Sequence, residues 1–407
     1  MKKLFFIIWL DSEVKNMIKK VNAYYIFAVI FVLYYIPRYI EYTTFIKIDE
    51  IKLIVTFTKL ISYMLAFSYI VYKVVQKKSI SLLLSTIMLF FLFQSFLGER
   101  KSVFVVLLFS TIFEEEYMDK YIRSLFNISV VLYVITFISS KAGIIENVIT
   151  SRDKLGGAWI AGGNGFEYPG QMIMMLMPIV FMYYYLKSGK ITWKDNVFWL
   201  VVDAFIFSQC LTITGTVMIA LFIACYNVLQ YRKKTKDSKI LASGIIKFLP
   251  FIFLFITIIL LVIYKVFPLV GNILDKALNG RLNIGNIIIK SYGIKILGTN
   301  FTNGINNGYY EILDSEYMHM LVAEGILFLI VALILCCFVL KYTQLINNQY
   351  LTLIWIFILL NSIVNNGIFN LVFNPFSILI TIYIRKNLNN AYLKEKFDKF
   401  KRTIKEE

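Results

Sequence analysis

The chain has 407 residues, of which 59% are hydrophobic, 17% aromatic and only 16% charged, with a mean hydropathy of +0.71. Soluble domains carry about a quarter charged residues, so this composition excludes a soluble enzyme and requires an integral membrane protein. The net charge of +17 argues for no nucleic-acid partner until it has been sorted between the two sides of a bilayer.

In chain order, the first apolar run, "LFFIIWL" at 4–10, is too short to span and has no small-residue cleavage site. It reads as an interfacial segment. Stretches long enough to cross or nearly cross a hydrocarbon layer of ~30 Å follow at 24–40, 51–72, 80–97, 121–140, 168–186, 245–267 and 317–340. Shorter candidates lie at 102–113, 196–210, 212–230, 350–365 and 369–384, separated from their neighbours by brief polar breaks such as "FLGERKS", "LTITGT" and "VNNGIF". The expectation is a single all-α polytopic domain of about twelve transmembrane helices. The four cysteines, Cys210, Cys225, Cys336 and Cys337, lie inside apolar runs and there is one histidine, so no disulfide framework, metal site or cofactor is expected.

Lysine and arginine test this count, because cytoplasmic segments are enriched in them. With the N-terminus inside, inner segments hold 28 of the 42 basic residues, and outer segments hold 12 when Arg38 and Lys265 are counted with them. Both termini are then cytoplasmic. The basic tail, 385–407, lies against anionic inner-leaflet lipid, and "EEE" at 114–116 is a solvated inner face. Two long loops fall outside, 141–167 and 268–316, the second just before the tenth span. Such a loop packs back onto the bundle over a cavity, unlike the short external connections of rocking transporters.

The second loop contains "LNGRLNIGNIIIKSYGIKILGTNF", a polar stretch, then "LDSEYMHMLVAEGIL". This pattern resembles the signature loop of bacterial O-antigen and capsular polysaccharide polymerases, the Wzy type, related to O-antigen ligases. In that family an Arg opens a helix, a glycine turn follows, and an Asp or His near a Tyr starts the next span. Here Arg281, "GTNF" at 298–301, Asp314, Tyr317 and "EGI" at 324–326 stand in those places. Upstream, "GGNGFEYPGQM" at 162–172 and "LTITGTV" at 211–217 are similar to two further family segments. They depart from them in having Glu167-Tyr168-Pro169-Gly170 for His-Pro-Asn and no arginine at Thr214-Gly215-Thr216.

The resemblance implies an enzyme that joins repeat units carried on a polyprenyl diphosphate, at the outer face of a bacterial cytoplasmic membrane, with inversion at the anomeric carbon. Alternatives are a ligase, or from another class a flippase for lipid-linked oligosaccharide. A chain-length regulator and a flippase of the same pathway are its expected partners. A guanidinium that forks onto phosphate oxygens suits the departing diphosphate. Arg281 is the first expectation, with Arg152 and Lys154 supporting. A carboxylate or imidazole must take the proton of the attacking hydroxyl. Asp314 and His319 are candidates, Glu167 the reserve, and Tyr317 and Glu324 complete the substrate-contacting set.

Each has a structural reading beside the functional one. Asp314 can cap the span's N-terminus, and His319 can be an interfacial histidine with a satisfied partner. Glu316 reads as a solvated interface residue. Glu324 lies ~15 Å along the helix from Asp314, where a carboxylate needs a cavity, a cation or its proton. Lys59, inside the second span, snorkels or pairs with an acid such as Asp203 or Glu324.

Overall fold

A computed structural model describes residues 23–75, 82–97, 102–154, 157–234, 241, 244–299, 301, 304–306, 309–311 and 313–388. The interfacial run at 4–10 and nearly all of the basic tail lie outside the described residues.

The described chain is an all-α membrane protein. Six helices are long and apolar enough to cross a bilayer: Asp49–Lys73, Glu115–Lys141, Pro169–Lys187, Ile213–Lys233, Ile246–Val266 and Ile326–Leu345. Four shorter apolar helices accompany them, at Tyr24–Ile40, Leu83–Ser95, Ser102–Ile112 and Gln349–Asn361. In chain order the helices are α1 (Ala23–Ile40), α2 (Asp49–Val75), α3 (Leu82–Leu97), α4 (Ser102–Ile112), α5 (Met118–Lys141), α6 (Pro169–Lys187), α7 (Trp193–Cys210), α8 (Ile213–Lys234) and α9 (Leu249–Val266). Two short helices, α10 (Pro268–Ala277) and α11 (Arg281–Tyr292), precede α12 (Glu316–His319), α13 (Ile326–Leu345) and α14 (Gln349–Asn361).

Local chemistry sets the helix ends. Asp49 and Glu50 open α2 and Lys73 closes it, each charge opposing the helix dipole. Pro169 sits in the first turn of α6, where a missing N–H costs nothing. Thr192 and Asp195 form a capping box at the start of α7.

Burial separates centre from rim. The window of α6 is 89% buried, wrapped by α5, α7, α8 and α14, whereas that of α9 is 17% buried and turns its apolar side chains outward. Aromatic rings fill the seam between α1, α4 and α5: Phe31 meets Phe109 and Tyr121 edge to face, and Tyr35 donates to or accepts from Ser129 at 2.7 Å.

Polar contacts gather the chain into two ends. At one, Lys73 pairs with Glu114 at 2.5 Å, Lys386 pairs with Glu115, and Arg385 donates to the Thr111 and Phe113 carbonyls. Glu114 and Glu115 are therefore ion-pair partners, and of the acidic run read as a solvated face only Glu116 is exposed. The other end collects the 41–48 turn, the described parts of 142–168 and 278–315, and the bend at 362–374.

Two expected spans are not continuous helices. In the stretch 317–340, α12 widens into a π turn at Met320–Glu324 and stops at Gly325, which has φ +96°, before α13 starts. Residues 295–299 enter the gap. Ile326 and Leu327 donate to the Lys295 and Ile296 carbonyls, and the Thr299 amide and hydroxyl reach the Val322 carbonyl. Gln94 of α3 donates to the Leu297 and Glu324 carbonyls, so the broken backbone is satisfied within protein. The stretch 369–384 runs as turns, a 3-10 segment at Pro375–Leu379 and a π turn from Ile384. Two small antiparallel hairpins also appear in the loops: β1 (Ile149–Lys154) with β2 (Gly157–Gly162), and β3 (Gly304–Asn306) with β4 (Tyr309–Glu311).

Candidate functional site

The site starts where α1 ends. Arg38, in its last turn, contacts Glu41 at 2.6 Å and stacks over the Tyr42 ring, 4.8 Å from its centroid. Lys59 of α2 pairs with the same Glu41. This corrects the expected partners of Lys59: its acid is the one 18 residues upstream, not Asp203 or Glu324.

The segment 163–168 docks onto this turn. Thr44 donates its amide to the Gly165 carbonyl at 2.8 Å, and the Glu167 amide reaches the Tyr42 carbonyl at 3.3 Å. Gly165 has φ +89°, and a Cβ there would lie 2.7 Å from the Thr136 carbonyl oxygen, so only glycine allows this approach. Phe166 is buried against Tyr133 and fixes the loop from below. The Tyr168 hydroxyl consequently stands within electrostatic range of Asp314, Arg281, Tyr42 and Glu167.

Beside these residues is a cavity of about 380 Å³. Tyr34, Tyr42 and Tyr63 give it aromatic walls, Arg38 and Lys59 its positive side, and Ser102, Asn366 and Asn370 neutral hydrogen-bonding groups. Its carboxylate is Glu316, which is 2% exposed and accepts the Gly367 amide at 2.7 Å through Oε2. The expectation of a solvated Glu316 is thus overturned. Its amide donates to the Ser362 carbonyl and draws the start of α12 into the bend after α14. The Asn370 side-chain amide donates to the Tyr42 hydroxyl at 2.5 Å, tying that bend to the 41–44 turn.

Arg281 and Asp314 lie next to the cavity without lining it. Arg281 Nε is 3.3 Å from Asp314 Oδ2, and its Nη2 donates to Asn365 Oδ1 at 3.0 Å. Asn365 is held in turn by Asn361, 2.8 Å away, and precedes the cavity residue Asn366. Nη1 of Arg281 is buried and has no hydrogen-bond partner among the described residues. Asp275 of α10 aims Arg281: its Oδ1 accepts the Leu282 and Asn283 amides at 2.8 and 3.0 Å and caps α11 from outside.

The other expected residues are distributed less uniformly. Glu167 stands near the Arg38–Glu41 pair and Lys47, its amide on the Tyr42 carbonyl. Part of its side chain reaches the surface, yet the protein around it desolvates its carboxyl and raises it above the ordinary range, Arg38 opposing and Glu41 adding. Tyr317 is fully buried and donates to the Leu359 carbonyl at 3.1 Å. His319 is 4% exposed and lies edge to face with Phe301, its centroid 6.2 Å away. Glu324 is fully buried at the helix break, its backbone carbonyl taken by Gln94. None of these three lines the cavity. Arg152 and Lys154 lie on β1, in register with Trp159 and Gly157.

Sequence reasoning missed Arg38, Glu41, Glu316 and the asparagines at 361, 365, 366 and 370. The signal for the last was present: amides recurring through an otherwise apolar C-terminal stretch, read there as a polar break between spans.

The arrangement offers one guanidinium with an unused donor beside a hollow walled by rings and amides, with a buried carboxylate inside. Such a hollow fits hydroxylated rings, which stack on aromatics and take hydrogen bonds from amides, next to an anion held by arginine. Among the described residues no three His, Cys, Asp or Glu side chains come together as a metal site. Comparison with known protein families, characterised proteins and solved structures returned no match.

Proposed function

We propose that this protein polymerises polyprenyl-diphosphate-linked oligosaccharide repeat units at the outer face of a bacterial cytoplasmic membrane, as an inverting glycosyltransferase. The observation that supports it most is the juxtaposition of Arg281, held by Asp314 and Asn365, with the tyrosine- and asparagine-lined cavity containing Glu316. The reading takes the bundle to cross the membrane twelve times, the irregular stretch 369–384 being the last crossing. It puts both termini in the cytoplasm and the cavity on the outer side.

In this mechanism Arg281 engages the diphosphate of the donor lipid. The acceptor sugar of the next lipid-linked unit lies in the cavity, with its rings on Tyr34, Tyr42 and Tyr63. The hydroxyl oxygen attacks the donor's anomeric carbon, the bond from that carbon to the diphosphate oxygen breaks, and the diphosphate leaves with the electron pair. The hydroxyl proton passes to Glu316. Arg38 and Lys59, held by Glu41, form the positive side of the same cavity. Arg281 contributes most as negative charge grows on the leaving group, so it stabilises the transition state above the ground state.

The test is the size and carrier of the glycan in host cells lacking the protein, complemented with the unmodified chain or with Arg281→Ala. Loss of the long ladder, with single repeat units still reaching the surface, supports a polymerase with Arg281 in its site. Single units trapped on lipid at the inner face identify a flippase instead. Long lipid-linked chains never transferred identify a ligase.

A further inference from the structure

The outer loop holds a helix whose surface does not suit water. Helix α10 begins immediately after α9, at Pro268, and its amide from Gly271 bonds back to the Phe267 carbonyl at 2.8 Å. At 100° per residue, Leu269, Val270, Ile273, Leu274 and Ala277 share one side, while Asn272, Asp275 and Lys276 share the other. The apolar side is not covered by protein: Leu269 is 84% exposed, Ile273 70% and Val270 51%.

This face continues one that already belongs to the membrane. Along α9, Phe255, Ile259, Val262 and Val266 recur at helical spacing and all point outward from the bundle. The outward stripe runs through Phe267 onto Leu269 without interruption. Gly271 allows the turn: a Cβ there would lie 2.6 Å from the Tyr264 Cα, so α10 folds tightly against the end of α9.

We infer that α10 lies in the outer headgroup–acyl boundary of the bilayer, with Leu269, Val270 and Ile273 among acyl chains and Asn272 toward water. The loop that sequence reasoning placed wholly outside is anchored in lipid along this helix. Through Asp275, which caps α11, the depth of α10 fixes the depth at which Arg281 stands. That last consequence rests on the polymerase reading only in giving Arg281 a lipid-borne ligand; the membrane contact does not.

The experiment attaches a nitroxide at Leu269→Cys, Ile273→Cys and Asn272→Cys in full-length protein in phosphatidylcholine–phosphatidylglycerol vesicles, with the unsubstituted chain as the blank for native thiols. Collision with oxygen is compared with collision with a water-soluble nickel complex. Oxygen exceeding nickel several-fold at 269 and 273, with the order reversed at 272, is the expected result. Free access of nickel at 269 and 273 overturns the inference in favour of a solvated loop. Exclusion of both reagents overturns it in favour of a protein cover, and a crosslinked dimer through 269 identifies that cover as a second copy. The readout needs no catalytic activity, so it stands or falls apart from the polymerase reading.

Discussion

Gly298→Ala is expected to destabilise the protein by about 4 kcal/mol, far more than a glycine replacement usually does. The residue has φ +85°, and a Cβ on it would lie 2.1 Å from the Ala323 carbonyl oxygen and 2.6 Å from the Glu324 carbonyl carbon. The left-handed conformation alone costs roughly 1–2 kcal/mol for an alanine. The clash is with backbone that cannot rotate away, so residues 297–299 must back out of the helix break. That movement forfeits the Thr299 amide and hydroxyl bonds to the Val322 carbonyl and the Gln94 bond to the Leu297 carbonyl, at about 1 kcal/mol each. Gly293→Ala supplies the control, with φ +72° and no atom within 4 Å of its Cβ; it is expected to lose only the conformational part, roughly 1–2 kcal/mol. Equilibrium unfolding of both variants in mixed lipid–detergent micelles measures the difference, of about 3 kcal/mol. Equal losses at 298 and 293 would refute the close packing of the loop into the break.

Arg281→Lys keeps the charge but not the two-pronged geometry, and should slow repeat-unit transfer at least about tenfold, read from the rate of ladder growth. Glu316→Gln still accepts the Gly367 amide but cannot take a proton; turnover should fall by about 10² to 10⁴ while the unfolding midpoint stays in place. Glu41→Gln leaves Arg38 and Lys59 without their shared counter-ion in a partly buried setting, costing on the order of 2 kcal/mol, and adding Lys59→Met should recover part of it in a double-mutant cycle. Glu167 gives a pH signature. Its raised pKa means the native state holds this proton more tightly than the unfolded chain, so its contribution to stability rises as pH falls through the raised value and levels off below the ordinary carboxylate range. Glu167→Gln should flatten that part of the stability–pH curve, and an unchanged curve would assign the dependence elsewhere.

The helical membrane architecture was legible from apolar run lengths, because each crossing helix must supply its own continuous hydrophobic surface. The break at Gly325 was not, since apolarity continues across it and the residues that fill the gap, 295–299, come from a different part of the chain. Glu316 shows the same limit more sharply. Read within its own helix it belongs to the interface, but its partner, Gly367, is 51 residues away. Lys59 was read as snorkelling or pairing with an acid such as Asp203 or Glu324, and it pairs with the nearer Glu41. Arg281 and Asp314 were singled out from the resemblance without their contact being foreseen, and the asparagines that hold Arg281 gave only a compositional trace. Polar residues in an apolar segment reveal that something is being satisfied there, not what.

The stretch 368–384 also constrains how the protein is made. Its backbone runs as turns, a 3-10 segment and the start of a π turn, and several of its polar groups are satisfied by other elements: Thr381 by Ser110 of α4, the Pro375 carbonyl by Tyr121 of α5, and Arg385 beyond it by the end of α4. Such a segment has part of its hydrogen bonding on other elements, so its folding is coupled to theirs. Its packing depends on α4 and α5 already lying side by side, with Ser110 and Tyr121 in place. Local folding and tertiary packing are one event here, as they are at the break before α13. Ser110, in the interior of α4, then becomes an assembly contact as well as a packing one: its hydroxyl accepts the Thr381 amide and its carbonyl accepts the Thr381 hydroxyl.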